Sequence, residues 1–593
     1  MVESYNSRTI YYSALSQKIS SKSKNLSILR LVLFIIAAFG VYLSAVYASI
    51  SLVVLVLSVS ILSFAMLVQY HSKVLYELQL LKAYTQINEN EEKAEKGNYS
   101  NFKDGEIFQD PEHPFAFDID LFGKGSLFQF LARTVTNIGT EQLAKRLKNP
   151  ILIKDRIIER QRFINFLASQ LEWRQKFQAT GTAHEEGEND RERIMNWIKL
   201  PGLFQNMLYL YLVILIPVVT TLFTALLSIK MITFQNYLLY LIIPWGIAGT
   251  LIKKTNTRHS LVSKTSDMLV KYSKLLKIID ELKSKENLKF PKDLQAINSV
   301  EAGKKLKELS AILNALDNRL NPISWTLLNA IFLWDILQMI RLEKWQKKNQ
   351  KELAEWFYLI AETDALISLA NFNFNMKDST VPEFSISDEM ILAKALGHPL
   401  IAGSTRVHND VEILKGSFVL ITGANMAGKS TYLRTIATSM VLAMNGCSVP
   451  AQSYQFSPIQ LYTSIRTQDS LQKNESYFYA ELKRLKSIID VLRDGNELFI
   501  ILDEILKGTN SKDKHQGSEA LLKQLISLKS SGIVATHDIM LGELESIFPD
   551  NIRNFCFEVD ITDERLDFDY KLRRGVSQNM NATILMRQMG ITV

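Results

Sequence analysis

The chain is 593 residues long, 47% apolar and 22% charged, with 68 Lys and Arg set against 61 Asp and Glu. That length calls for several domains with buried cores, the apolar share is high for a wholly soluble protein, and a formal charge of +7 permits anionic partners without requiring nucleic acid. Two cysteines, Cys447 and Cys556, exclude a disulfide framework or a cysteine metal site and make a reducing compartment the expectation.

The first thirty residues carry Arg8, Lys18, Lys22, Lys24 and Arg30, and no further Lys, Arg, Asp or Glu occurs before Lys73. Inside that gap, 31–47 and 50–69 are almost wholly apolar, each near the roughly 20 residues that a bilayer-spanning helix needs. Ala48 and Ser49 read as the turn of a hairpin. A second pair, 207–229 and 231–252, is separated by Lys230 alone. Four membrane spans in two hairpins are therefore predicted. Buried core helices seldom need such long charge-free runs, and a doubled apolar stretch does not fit a cleaved signal peptide. No Asp, Glu, Arg or His falls inside any span, which points to anchors rather than a conduit. Arg30, Lys73, Arg193, Lys199, Lys253, Lys254 and Arg258 all flank the spans on one side. The positive-inside rule makes that side cytoplasmic, so the expectation is an integral protein of the plasma (inner) membrane with its soluble parts in the cytoplasm.

Between the hairpins, 88–110 is polar and reads as loop or frayed helix, and the run HEEGENDRER over 184–193 reads as a solvated charge run. After the fourth span, 259–373 is helix-patterned. Leu261, Met268, Leu269, Tyr272, Leu275 and Ile278 repeat at helical spacing, as do Trp345, Leu353, Trp356, Leu359 and Ile360, which predicts paired lever-like helices. The run RLEKWQKKNQK over 341–351 is the most basic helical stretch. It reads first as a solvated face, with anionic lipid or DNA phosphate as the other readings.

The last 210 or so residues return to α/β alternation. A buried strand over 418–422 breaks into Gly423, Ala424, Asn425, Met426, Ala427, Gly428, Lys429 and Ser430, a complete G-x-x-x-x-G-K-S loop followed by Thr431 and a helix. Its two glycines let successive backbone N–H groups turn toward one point, and the helix adds the positive end of its dipole there. ATP and Mg²⁺ are the expected ligands, with Lys429 reaching the β- and γ-phosphates and Ser430 completing the metal shell. The apolar strand 498–502 ends in Asp503 and Glu504: Asp503 would hold Mg²⁺ through water and Glu504 would polarise the attacking water. A further strand, 532–536, ends in His537, placed to sense the γ-phosphate.

Several of these segments together carry a family resemblance. The run GANMAGKSTYLR, with Asn425 at its third position, resembles the phosphate loop of the MutS mismatch-repair ATPases. GHPLI over 397–401 with Asn409 and Asp410, GCSVPA over 446–451, DSLQKNESYFYAEL over 469–482, LDEILKGTN over 502–510 and ATH over 535–537 resemble further MutS signatures in the same order. LFGKGSLFQFLARTVTNIGTEQLAKRL, from Leu121, with Arg160 and Gln161, is similar to the start of that family's helical core. The resemblance implies an ABC-type composite site in a homodimer, in which Ser476 of one subunit reaches the γ-phosphate held by the other.

The chain also departs from the family. Only about 50 residues separate the second span from Asp120, where the mismatch-reading domain would precede the core. No Phe-x-Glu wedge occurs in the sequence, a membrane hairpin interrupts the core, and Asn474 stands where the family usually has Gly. The expected fold is an α/β P-loop ATPase domain joined to an all-α core/lever domain, with four transmembrane helices. Its expected layout is an N-terminal segment (1–30), a first hairpin (31–70), a helical segment (71–203), a second hairpin (204–252), levers (253–380) and the ATPase domain (381–593). The expected catalytic set is Glu504, Lys429, His537 and Ser476. The expected function is ATP-driven lever movement acting on DNA, without classical mismatch recognition. The other reading is a mechanochemical membrane ATPase that acts on a protein partner or the bilayer.

Overall fold

A computed structural model describes residues 4–47, 50–284, 290–424, 426–466, 477–562 and 565–578. The chain divides into two compact units: one comprises 1–92, 134–140 and 171–364, the other 93–133, 141–170 and 365–593.

The first unit is helical. Its N-terminal helices, Tyr5–Tyr47 and Ile50–Glu95, are 43 and 46 residues long. At roughly 1.5 Å per residue each is twice the thickness of a bilayer's hydrocarbon core. The basic segment before the first predicted span is thus already helix from Tyr5, and 88–95, read as loop or frayed helix, continues the second helix. The turn placed at Ala48 and Ser49 lies outside the described residues. Among the described residues three helices, Tyr5–Tyr47, Ser51–Glu95 and Met207–Ser228, are long and apolar enough to cross a membrane. The fourth predicted span lies in the Phe234–Val262 helix, where Gln235, Asn236, Tyr237 and Tyr240 dilute the apolar run. In its place, by length and composition, stands a bent pair, Pro322–Phe332 and Trp334–Asn349, meeting at 80°. The second predicted hairpin turns at Lys230, φ 62°, and is tied internally by a buried 2.6 Å hydrogen bond between the Thr220 and Tyr240 hydroxyls.

The helices after the fourth predicted span follow the predicted spacing with two breaks, the second between Trp345 on Trp334–Asn349 and Leu353 on Leu353–Asn375. The pattern through Leu261 and Met268 is two helices, Phe234–Val262 and Ser266–Lys283, because Lys264 adopts φ 69°. Ser266–Lys283 lies along Ser299–Asp317 with Leu269, Leu276, Leu306 and Leu313 buried. Gly303 permits that approach, since a Cβ there would stand 3.3 Å from the Ser273 carbonyl. The 184–193 run is not wholly solvated: the Glu186 side chain is buried, paired with Lys271 at 3.0 Å and bonded by the Tyr272 hydroxyl at 2.6 Å. A charge inside a helical core persists only when so partnered.

The second unit holds a six-stranded sheet in the order Leu572–Arg574, Ile552–Phe557, Phe418–Gly423, Ser531–Ala535, Leu498–Asp503, Gln460–Ser464. Every pairing is parallel except that of the first strand. Phe418–Gly423 and Leu498–Asp503 are buried along their whole length, as parallel strands covered on both faces must be, and they read as unbroken apolar runs. Asp118, in the segment ahead of this domain, is built into the same unit. It accepts from the Thr463 hydroxyl at 2.5 Å, the Arg466 N–H at 2.9 Å and the Arg484 guanidinium at 3.3 Å. Cys447 and Cys556 are both buried and free.

Candidate active site

Three parallel strands end side by side, at Gly423, Asp503 and Ala535, and their carboxyl ends open into one cleft, where open α/β sheets bind ligands. The phosphate loop follows the first. Gly423 sits at φ 146° and Gly428 at φ 104°, and a Cβ on Gly423 would stand 2.6 Å from the Phe557 carbonyl, so the loop needs glycine for both conformation and space. The Lys429–Met444 helix then starts with its N-terminus on the cleft.

Lys429 is buried and folds back over its own loop, donating to the carbonyls of Gly423 and Ala424 at 2.8 and 2.9 Å. Burial pulls its ammonium down to about 8; Asp503 and Glu504 oppose that, and Lys507 adds to it. The Ser430 hydroxyl donates to Asp503 Oδ2 at 2.6 Å, so a hydroxyl and a carboxylate oxygen share one point in front of the helix. Among the described residues no cluster of three or more His, Cys, Asp or Glu could hold a metal by itself. The pair fits Mg²⁺ instead, which takes one or two protein oxygens and completes its octahedron with water and substrate phosphate.

Glu504 stands at φ 53° with its N–H bonded to the Ala535 carbonyl at 2.9 Å, which turns its side chain back across the sheet end. Its carboxylate lies 2.7 Å from His537 Nε2 and 3.8 Å from Lys507. The hydrogen bond from His537 holds Glu504 down at about 2, against burial, with Lys507 helping. Lys429 Nζ also lies 3.3 Å from the same Nε2. A ring nitrogen that donates to Glu504 cannot also accept from an ammonium, so the approach to Lys429 is contact only. The cleft, about 470 Å³, continues from the loop to a wall that includes Leu396, His398, Ile401, Val407 and Tyr570. Burial pushes His398 down to about 4, which leaves a neutral ring among apolar side chains.

The structure thus brings together Gly423, Ala424, Met426, Gly428, Lys429, Ser430, Thr431, Asp503, Glu504 and His537, with Ala427 buried beneath the loop. Asn425 and Ser476 lie outside the described residues. Sequence reasoning missed Glu481. It is buried on the Tyr477–Arg493 helix and accepts from the Leu506 N–H at 2.6 Å and the Lys507 N–H at 3.2 Å, so it fixes the turn that follows Glu504. Burial raises its carboxyl despite those bonds. The signal was available: 481, 485, 488 and 492 form one helical stripe, and the other three positions are the buried Leu485, Ile488 and Leu492.

Two family models match the chain: MutS domain V over 419–589 and MutS domain III over 106–370. The first is a P-loop ATPase domain and covers the loop, Asp503, Glu504 and His537. Among curated proteins, the chain is 32% identical over 234 residues to "MutS protein homolog 4" of Homo sapiens, a match covering 37% of this chain and 24% of that one. It is 33% identical over 230 residues to "DNA mismatch repair protein MSH4" of Arabidopsis thaliana, covering 37% and 28%. With "DNA mismatch repair protein MutS" of Thermotoga maritima it shares 30% over 250 residues, covering 41% and 31%. The chain therefore spans about a quarter to a third of the length of these relatives.

Proposed function

The chain belongs to the MutS family, and we propose that it is a membrane-anchored member that binds and hydrolyses ATP in a composite dimer site and uses the cycle to move its helical levers on DNA. The observation that carries the reading is the constellation of Lys429, Ser430, Asp503, Glu504 and His537 around one cleft at the strand ends. With ATP bound, Lys429 would leave the Gly423 and Ala424 carbonyls and turn its ammonium to the phosphates, and Ser430 and Asp503 would hold Mg²⁺, which would supply charge neutralisation there. The base would lie along Leu396, Ile401 and Val407 with His398 and Tyr570 beside it. Glu504 is the acceptor for the attacking water's proton. In the pairing described here His537 occupies it, so hydrolysis requires that hydrogen bond to loosen as a dimer closes. Ser476 of the partner subunit would supply the closing contact.

Exposed apolar helices support the anchoring. Most of the large apolar side chains of the predicted spans in Tyr5–Tyr47 and Ile50–Glu95, among them Phe34, Phe39, Leu55 and Leu62, are exposed, a surface that bare water does not tolerate on this scale. Shared anchoring in one membrane also raises the effective concentration of the two subunits. The same surface favours a second reading, in which the levers act on a membrane protein or on the bilayer and DNA is not bound.

Complementation tests the composite site. Lys429→Ala and Ser476→Ala chains, each inactive alone, are mixed in detergent and reconstituted together. Half the dimers are then mixed, each with one intact site, so ATPase activity returns to about a quarter of the unmutated level. Activity that stays absent on mixing, or that persists in Ser476→Ala alone, overturns the composite site.

A further inference from the structure

The Pro322–Phe332 helix lies outside every stretch read as a span, yet one of its faces is bare and apolar. Ile323 and Leu327, four residues apart on the helix, are 72% and 57% exposed, and Leu320, in the turn Asn318–Leu320 just ahead of it, is 69% exposed. The opposite face is closed through Asn329, and the buried Ala330, seven residues after Ile323, ends the bare stripe; the helix packs against both Met207–Ser228 and Phe234–Val262. Those two helices are themselves bare, with Ile214, Val218, Leu239 and Ile242 exposed.

Two polar ties set the level of this helix along Phe234–Val262. Arg319 donates to Asn256 Oδ1, and Trp245 Nε1 donates to the Thr326 carbonyl at 2.8 Å. Between Asn256 and Trp245 lie Lys253 and Lys254, the first charges after the apolar stretch. At about 1.5 Å per residue, Trp245 lies some 12 Å inside Lys253, so Thr326 sits well within the apolar band while Arg319 stays on the lysine side. The chain then turns back. Leu333, at φ 47°, ends the helix and Trp334–Asn349 departs at 80°. Asp335 closes on Arg319 at 2.9 Å, both side chains almost fully buried, and also accepts from Trp325 Nε1 at 3.1 Å. Entry and exit are therefore clasped at one place, and the ionic groups there are satisfied by each other, as they must be at the edge of hydrocarbon.

We propose that Pro322–Phe332 is a re-entrant membrane element that dips into the bilayer beside the second hairpin, with Leu320, Ile323 and Leu327 against acyl chains. The Trp334–Asn349 helix then starts at the membrane surface, and its exposed Arg341, Lys344, Lys347 and Lys348 stand clear of the apolar layer. The occupant of the bare stripe is lipid, because the stripe lies at the depth of the apolar band and beside helices that are bare in the same way. This inference rests on the membrane reading of the hairpins.

Spin labels on Ile214→Cys, Ile323→Cys, Leu327→Cys and Lys348→Cys in the full chain, reconstituted in vesicles of phosphatidylcholine and phosphatidylglycerol, test both. The unlabelled cysteines are buried, and all four new positions are exposed, so the labels leave core packing alone. Positions 323 and 327 should match 214, with collisions favouring oxygen over a water-soluble nickel chelate several-fold more than at 348. Lipid-like behaviour at 214 with water-like behaviour at 323 and 327 overturns the re-entrant element and leaves the anchored reading standing. Water-like behaviour at all four positions overturns both, and shielding of 323 and 327 from both probes assigns the stripe to a protein contact instead.

Discussion

The burial of Lys429 makes nucleotide binding pH-dependent in a direction that can be worked out. In the empty site its ammonium titrates near 8; against phosphate it should regain at least the ordinary value of about 10.4. The bound state therefore holds more protons, and affinity falls as pH rises through 8. At pH 7 about 10% of the empty sites are neutral, and at pH 9.5 about 97% are. The apparent Kd should then rise about 25-fold between the two, and screening in a cleft open on one side reduces this to about tenfold, or about 1.4 kcal/mol. The nucleotide's own terminal phosphate ionises near pH 6, below this window, so it does not produce the effect. Equilibrium titration of the reconstituted chain with ATP, at constant ionic strength and free Mg²⁺, measures it. Lys429→Arg is the control: a guanidinium stays charged throughout, so its binding, though weaker, should be flat over the same range. A wild-type Kd that is equally flat refutes the buried-lysine account.

Ser430→Ala should leave metal-free nucleotide binding within about threefold while abolishing the gain that Mg²⁺ confers, because only the metal's oxygen ligand is removed; isothermal titration with and without Mg²⁺ separates the two. Glu481→Ala leaves the Leu506 and Lys507 N–H groups without their buried acceptor, at about 1–3 kcal/mol each. It should lower kcat far more than ATP affinity, because the turn it holds carries Glu504 and not the phosphate loop, and comparison of single-turnover rates with Kd checks this. Asp118→Ala removes three hydrogen bonds and leaves Arg484 without its carboxylate, so native-state hydrogen exchange over 418–423 should show a loss of about 3 kcal/mol. An unchanged exchange pattern there would mean that the segment ahead of the domain does not support the sheet.

The residues gathered in the candidate site were legible in the sequence because their constraints are local. A glycine at φ above 100°, a lysine one residue later and an acidic pair at the end of an apolar strand are each fixed by backbone conformation or strand position, and they survive as motifs. Glu481 was not read because its role depends on which turn its helix packs over, which spacing along one helix does not show. Glu186 was hidden for the same reason: its partners, Lys271 and Tyr272, lie more than eighty residues away in the chain. The Pro322–Phe332 helix escaped notice because 11 residues fall short of a span by length alone, and only the bonds to Asn256 and Trp245 reveal its level. The break at Lys264 sits inside a continuous helical pattern, where one lysine at positive φ leaves no compositional trace.

DNA binding by the full chain in nanodiscs tests the central claim most directly. Glu504→Gln protein would be held with ATP, with ADP and without nucleotide, and titrated with homoduplex, mismatched and branched DNA across a range of salt. The account predicts an affinity that changes with nucleotide and falls steeply as salt rises, because phosphates neutralised by lysine and arginine release their counterions. Absence of DNA binding in every nucleotide state, with ATP still bound, would contradict it and assign the engine to a partner in the membrane.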